Sequence, residues 1–555
     1  MLIARLTAWL LVTLLSISSH SAWAQSEPDH HASPATTATA SPEQLGEVHF
    51  RVSCNVAAQQ EFNRAMAMFH SFWFEPAKHS FTKVLEHDPE CGMAYWGIAI
   101  MSMGNPFGWS INTNAPKAGE AAMAEALRVS AKSERERDYI AALATFFTEW
   151  QTVDYRSRVL AFEKGMEGVA TRYPEDDEAQ ILYALVLNMT AVPTDKTFAH
   201  QLKAASILEP LFKQHPHHPG IAHYLIHTYD YAGLAEKGLP AARVYATVAP
   251  SVPHALHMPS HIFSRVGLWP EMVESNRASY RAAKNQLSGQ TLGLGSYDAL
   301  HAMDYMVFGH LQQAQDKAAK RLVDEVAAIR KVKVEDFSAA YAFAAIPSRY
   351  ALERGDWQQA AALQLSPREM AWDKFPHAEA ILVFARGLGA ARSGEVTAAR
   401  KDVERLQALK DVMTAAKIDY WANQTDFQIK TILAWIALAE KRDEEAIQLM
   451  RTAAEAEEAS DKAPVTPGNV VPLRGLLGEM LLALNQPAHA FTEFERSLQR
   501  DPNRFRVVYS ASRAAEAAGN RQAAREHYAK LQTLAADHDT ERPELAQATA
   551  FLAKP

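Results

Sequence analysis

From residue 46 onward, apolar positions recur at three- and four-residue intervals, while the two-residue alternation of half-buried strands is scarce. Alanine-rich amphipathic segments of 12–18 residues alternate with short breaks carrying Gly, Pro, Asn or Asp. The pattern predicts an all-α chain of short helices. Its regular spacing raises the question of an internal repeat.

The period is clearest near the C-terminus. In "LLGEMLLALNQPAHAFTEFERSLQRDP", Gly478, Ala490, Phe494 and Pro502 fall at set intervals, and Ala524 and Tyr528 follow Ala490 and Phe494 by 34 residues. Ala77, Phe81 and Pro89 fit the same frame, as do "GDWQQAAAL" (355–363) and "SGEVTAARKDV" (393–403). The chain thus resembles the tetratricopeptide repeat, a helix–turn–helix unit of 34 residues with small residues where its helices touch. The resemblance implies an α-solenoid: one helix pair cannot bury its apolar face alone, so pairs stack into a superhelix with a concave groove. With its "AYWG" and "HMPSHIF" segments, the chain also resembles a group of exported bacterial tetratricopeptide-repeat proteins, which implies fold and compartment but no activity. "AYWGIAI" (94–100) and the aromatic run "FHSFWF" (69–74) are expected mainly in the core and along its seams.

Set in this frame, the stretch "IAHYLIHTYD" becomes informative. With Ala241, Tyr245 and Pro253 marking one unit, its first helix begins near Ala222, and His223 and His227 take repeat positions 2 and 6. His257 and His261 take the same positions 34 residues later, with Pro259 tolerated in the first turn. After a longer loop, "NQLSGQTLGLGS" (285–296), a third unit puts His301 at position 2 and Asp304 at position 5, and Asp230 holds position 9 of the first. At about 100° per residue, positions 4, 7, 8 and 11 pack while 2, 5, 6 and 9 face the groove. Five histidines and two aspartates are therefore expected on one concave surface. His254 and "HPHHPG" (His215, His217, His218) read as loops at the rim or entry, with His215 and His217 solvated. His70 reads as groove-facing but several repeats away.

Histidines at i and i+4 have Cβ atoms about 5–6 Å apart, so each pair can share one cation. Neighbouring helices lie about 8–10 Å apart, so two pairs can close on one ion or hold two. Imidazole suits zinc and copper, and also iron and nickel. Asp230 or Asp304 can add a ligand, orient a histidine, or serve as general base for a metal-bound water. Three other readings stand beside this one: inheritance by duplication, polar contacts to a peptide, and side chains that hydrogen-bond to one another.

The N-terminus reads "MLIARLTAWLLVTLLSISSHSAWAQ", a basic start, an apolar run and a small-residue site. This is the pattern of a secretory signal cleaved after Ala24, with a polar, disordered leader over 25–45 and no further membrane span. The compartment is then the periplasm or outside the cell. Cys54 and Cys91 are the only cysteines. In an exported chain they read as one disulfide, with two free buried thiols as the alternative. Stacking supports the bridge, because successive first helices run parallel and both cysteines sit at their beginnings. A net charge of −8 with no basic cluster gives nucleic acid no electrostatic footing.

The sequence divides into an array carrying the histidines (46–330), middle helical repeats (331–465) and C-terminal repeats (466–555). H-E-x-x-H, G-x-S-x-G, a phosphate loop and C-x-x-C are all absent. Two functions remain: a scaffold that binds a peptide or protein segment in its groove beside a histidine metal site, or a hydrolytic or redox enzyme using that site.

Overall fold

The computed structural model describes residues 43–107, 115–192, 194–287 and 294–554. The expected signal segment, and the leader up to residue 42, lie outside the described residues. From Gln44 the chain forms one compact unit built almost wholly of α-helices, joined in antiparallel pairs that stack side by side. Its strand content among the described residues is one short parallel pairing, Leu294–Gly295 with Lys331–Val332. None of the described helices is long and apolar enough to cross a membrane. The chain is an all-α solenoid of stacked helix pairs.

The two helices of a pair differ in burial as stacking requires. Every residue of the first helix Pro219–Tyr229 is buried, whereas the second helix Pro487–Arg500 buries only Ala490, Phe494 and Ser497. The repeat residues found in the sequence lie at these contacts. Ala77, Phe81, Ala490, Phe494, Ala524 and Tyr528 are all fully buried. Gly478 is glycine because a Cβ there would lie 2.5 Å from the Phe494 ring, and Gly97 meets Phe81 in the same way. Fully burying one such phenylalanine stabilises the stack by roughly 1.5–3 kcal/mol.

Cys54 and Cys91 are joined, with their Cα atoms 5.4 Å apart. Asn55 caps the first helix, Val56–His70, and its side chain also donates to His87 O, so the bridge and the cap together tie the first pair to the next helix. The hydrophobic interior forms two large clusters, and both include residues of the helix Tyr297–Gln312. That helix carries His301.

The interior surface is more filled than an open superhelix would leave it. The connection 460–472, between the helices Asp443–Ala459 and Leu473–Ala483, lies against helices some 200 residues earlier in the chain. In it, Lys462 Nζ donates to Asp230 Oδ2 at 2.9 Å, Asp461 Oδ1 accepts from Arg265, and Pro464 O accepts from Tyr305. Further on, Trp269 Nε1 donates to Asn503 O at 2.8 Å, and Arg542 pairs with Asp316. The C-terminal repeats thus pack back on the middle of the chain, beside the histidine-bearing helices.

Candidate metal centre

Three helices supply the histidines. His223 and His227 stand on Pro219–Tyr229, and His301 on Tyr297–Gln312. His257 and His261 stand on Pro253–His257 and Pro259–Val266, which run on through Met258 in right-handed helical conformation. This helix begins three residues before His257's expected first-turn neighbourhood, at Pro253. Pro259 therefore falls inside the helical run rather than at its start. The earlier start also makes His254 a helical residue and turns its ring inward.

Six imidazoles gather in two sets of three: His223, His227 and His254, and His257, His261 and His301. Within each set, one potential ligand atom per residue lies within 4.8 Å of the others. His223 Nε2 is 3.2 Å from His227 Nε2 and 3.2 Å from His254 Nε2. His257 Nε2 and His261 Nε2 are 3.0 Å apart, and the His301 ring centre is 4.4 Å from that of His257. The sets adjoin: His227 and His261 have ring centres 5.9 Å apart, and His254 and His257 6.0 Å.

Tautomers follow from the outer nitrogens. His223 Nδ1 faces the carbonyl of His70 at 2.6 Å and must donate to it. His261 Nδ1 donates to Asp230 Oδ2 at 2.9 Å. His257 Nδ1 donates to Asn276 Oδ1 at 2.6 Å, and Asn276 is itself oriented by donating from Nδ2 to Met272 O. Each of these three rings therefore turns an Nε2 lone pair inward. Burial, reinforced by neighbouring imidazoles, holds His223, His227 and His257 well below the ordinary imidazole range, so they are neutral at neutral pH. His261 is also lowered by burial, although Asp230 opposes the shift.

Asp230 lies one step behind the histidines. Burial opposes its ionisation, but the Lys462 ammonium and Arg265 guanidinium outweigh that and hold its carboxyl well below the usual range. Both its oxygens are engaged, Oδ1 by Arg265 and Oδ2 by Lys462 and His261. It orients His261 and is not a free base. Asp304 departs further from expectation. Both its oxygens are taken up in a fully buried pair with Arg349, at 2.7 and 3.2 Å. Arg349 also donates to Thr466 Oγ1 and Gly468 O. A buried carboxylate needs a cation, and the next repeat's first helix supplies one.

His70 is also closer than its place in the repeat order suggests. Its carbonyl holds His223, while its ring nitrogens meet Tyr224 Oη at 2.8 Å and Glu178 Oε2 at 3.0 Å. Glu178 Oε1 accepts from His218 Nε2, also at 3.0 Å. This group could ligate by proximity, but both carboxylate oxygens already accept imidazole N–H groups. It reads as a buttress for His223. His218 is thus buried rather than at a rim, while His215 and His217 are exposed as expected.

The walls are aromatic. Phe72 packs 4.3 Å from His223, Phe107 stacks 3.9 Å from His227, and Tyr305 lies 4.6 Å from His257 with its hydroxyl 3.4 Å from His261 Nε2. Sequence reasoning placed His254 at the rim and missed Asn276, Lys462 and Arg265 altogether. Only His254 carried a usable signal, since it lies three residues before His257, one helical turn away.

No protein-family model matches the chain, and no curated protein matches it. Among solved structures, the APC/C hetero-tetramer Cut9–Hcn1 aligns at 14% identity and a TM-score of 0.33, covering 85% of this chain and 79% of that one. The human IFIT1 dimer with PPP-AAAA aligns at 14% identity and a TM-score of 0.36, covering 80% and 91%. The same dimer with m7Gppp-AAAA gives 13% identity and a TM-score of 0.35, covering 88% and 97%. At such scores these likenesses carry no argument. The fold rests on the chain's own helix pairing, and the site on its own geometry.

Proposed function

We propose that this chain is an exported helical-repeat scaffold that holds two transition-metal ions, copper or zinc, in adjacent three-histidine sites. The observation that carries the reading is the pair His257 and His261. Their Nε2 atoms stand 3.0 Å apart while both Nδ1–H groups are committed elsewhere. A neutral imidazole has one donor and one acceptor nitrogen, so two lone pairs face each other and repel. A cation between them removes the repulsion. A proton is a poor candidate, because burial lowers both rings' affinity for it. A metal ion fits, since ligating histidines characteristically donate their other N–H to a carboxylate, an amide or a backbone carbonyl.

Three neutral nitrogens per ion leave a coordination position for an exogenous ligand, which favours a reactive or exchangeable site over a closed structural one. Export is supported by the signal-like N-terminus and by the Cys54–Cys91 bridge, which suits an oxidising compartment. X-ray absorption on metal-loaded protein tests the reading. It should show a first shell of imidazole nitrogen at about 2.0–2.1 Å for zinc. A shell dominated by oxygen would contradict it.

A second reading, peptide binding, is favoured by a concavity in the C-terminal half lined by Tyr341, Phe384, Trp421, Phe427, Gln424 and Glu457. The space, about 40 Å³, suits no more than the tip of one side chain of a peptide partner. Quenching of tryptophan fluorescence by a peptide, lost in Trp421→Ala, would support it. An identical response in the variant would sink it.

A further inference from the structure

We infer that the two three-histidine sites form one dinuclear copper centre that takes dioxygen between its ions. This rests on the metal reading above and deepens it. His223 lies 4.9 and 5.0 Å from His227 and His254, ring centre to ring centre, and His257 lies 4.4 and 5.0 Å from His301 and His261, while the contacts between sets, at 5.9 and 6.0 Å, are only about 1 Å longer. Two ions held this way are neighbours, within reach of one small bridging molecule.

Charge selects the metal. All six candidate ligands are neutral imidazoles, with no carboxylate to bridge or neutralise the ions. The nearest acid, Asp230, already has its charge matched by Arg265 and Lys462. Two divalent ions would therefore bring four uncompensated positive charges into a buried site, which is costly. A Cu(I) pair brings two. Copper alone of the two has an accessible one-electron couple, so it alone can enter the site as a singly charged ion.

The same argument selects the ligand. When two Cu(I) ions each give one electron to one dioxygen, the product is two Cu(II) ions holding a peroxide dianion. No proton or further reductant is needed. The total charge of the centre is +2 before and after, so the buried pocket never carries the uncompensated four charges.

Access and dryness fit this chemistry. Each set has two buried histidines and one that is half-buried, His254 in one and His301 in the other. The half-buried rings are the members of the centre nearest the surface, and Phe72, Phe107 and Tyr305 pack apolar faces against the others.

The test loads the full mature protein with two equivalents of Cu(I) without oxygen, then admits air. One dioxygen should be taken up per two copper ions, giving a new near-ultraviolet charge-transfer band and no paramagnetic copper signal, because paired Cu(II) ions couple. His301→Ala, at a half-buried position, should keep one copper ion and lose the uptake by at least tenfold. Two bound copper ions that oxidise to give separate Cu(II) signals, or that take up no oxygen, would overturn the dinuclear inference and leave the metal reading standing. Binding of zinc but not copper would overturn the copper inference alone, and failure to bind either metal would overturn both.

Discussion

His257 and His261 face each other with 3.0 Å between their Nε2 atoms, and each is fixed from behind, one by Asn276 and the other by Asp230. Asn276 matters because its oxygen, aimed by a bond to Met272 O, sets the His257 tautomer. Replacing such an outer partner typically lowers metal affinity about 10–100-fold. Asn276→Ala should weaken binding by that factor in a chelator-competition titration while leaving the number of bound ions unchanged. Unaltered affinity would mean that the tautomer is not set there.

The two sets should be separable. His254→Ala removes one nitrogen from the first set, and His301→Ala one from the second. Each variant should bind one ion tightly where the parent binds two, as counted by native mass spectrometry. Equal loss of both ions in either variant would indicate a single shared site.

The repeat frame was legible because its cause is local and periodic: small and aromatic residues such as Ala490 and Phe494 must recur wherever helix pairs stack. The same periodicity put His223, His227, His257, His261 and His301 on one surface. His254 was misplaced because helix boundaries depend on local capping, and Pro253 starts that helix earlier than the repeat average. The partners of the aspartates were not legible at all. Arg349 lies 45 positions from Asp304 and Lys462 lies 232 from Asp230, and a linear sequence holds no signal for which distant cation will neutralise which buried acid.

Asp230 ties the site to the C-terminal half through Arg265, Lys462 and, by way of Arg265, Asp461. Removing one partner of a buried ion pair costs roughly 3–5 kcal/mol, because the remaining charges lose their compensation. Asp230→Ala should lower stability by about that much in denaturant unfolding. It should also loosen the 460–472 connection, read as faster amide exchange there.

Acid should destabilise the metal-free protein. His223, His227 and His257 have proton affinities well below those of free imidazoles, owing to burial. Above about pH 6.5 folded and unfolded chains are both neutral at these positions. As pH falls below that value the unfolded chain takes up protons that the folded chain refuses, so stability falls. Each histidine contributes at most about 1.4 kcal/mol per pH unit over that window. Thermal melts should shift downward between pH 7 and 5, and the shift should shrink in a His223→Gln/His257→Gln variant.

The Cys54–Cys91 bridge closes a loop with a sequence separation of 37. Chain-entropy arguments give such a closure about 4 kcal/mol. Cys54→Ser should lower the unfolding free energy by up to that amount without changing how many ions are bound. A change in stoichiometry would show that the bridge also shapes the centre.

The most direct test of the central claim is elemental analysis of the mature protein, purified without chelators or a histidine tag and then offered copper and zinc. The account predicts two ions per chain, lost in His223→Ala/His257→Ala. A wild-type protein that stays metal-free after both incubations would contradict it.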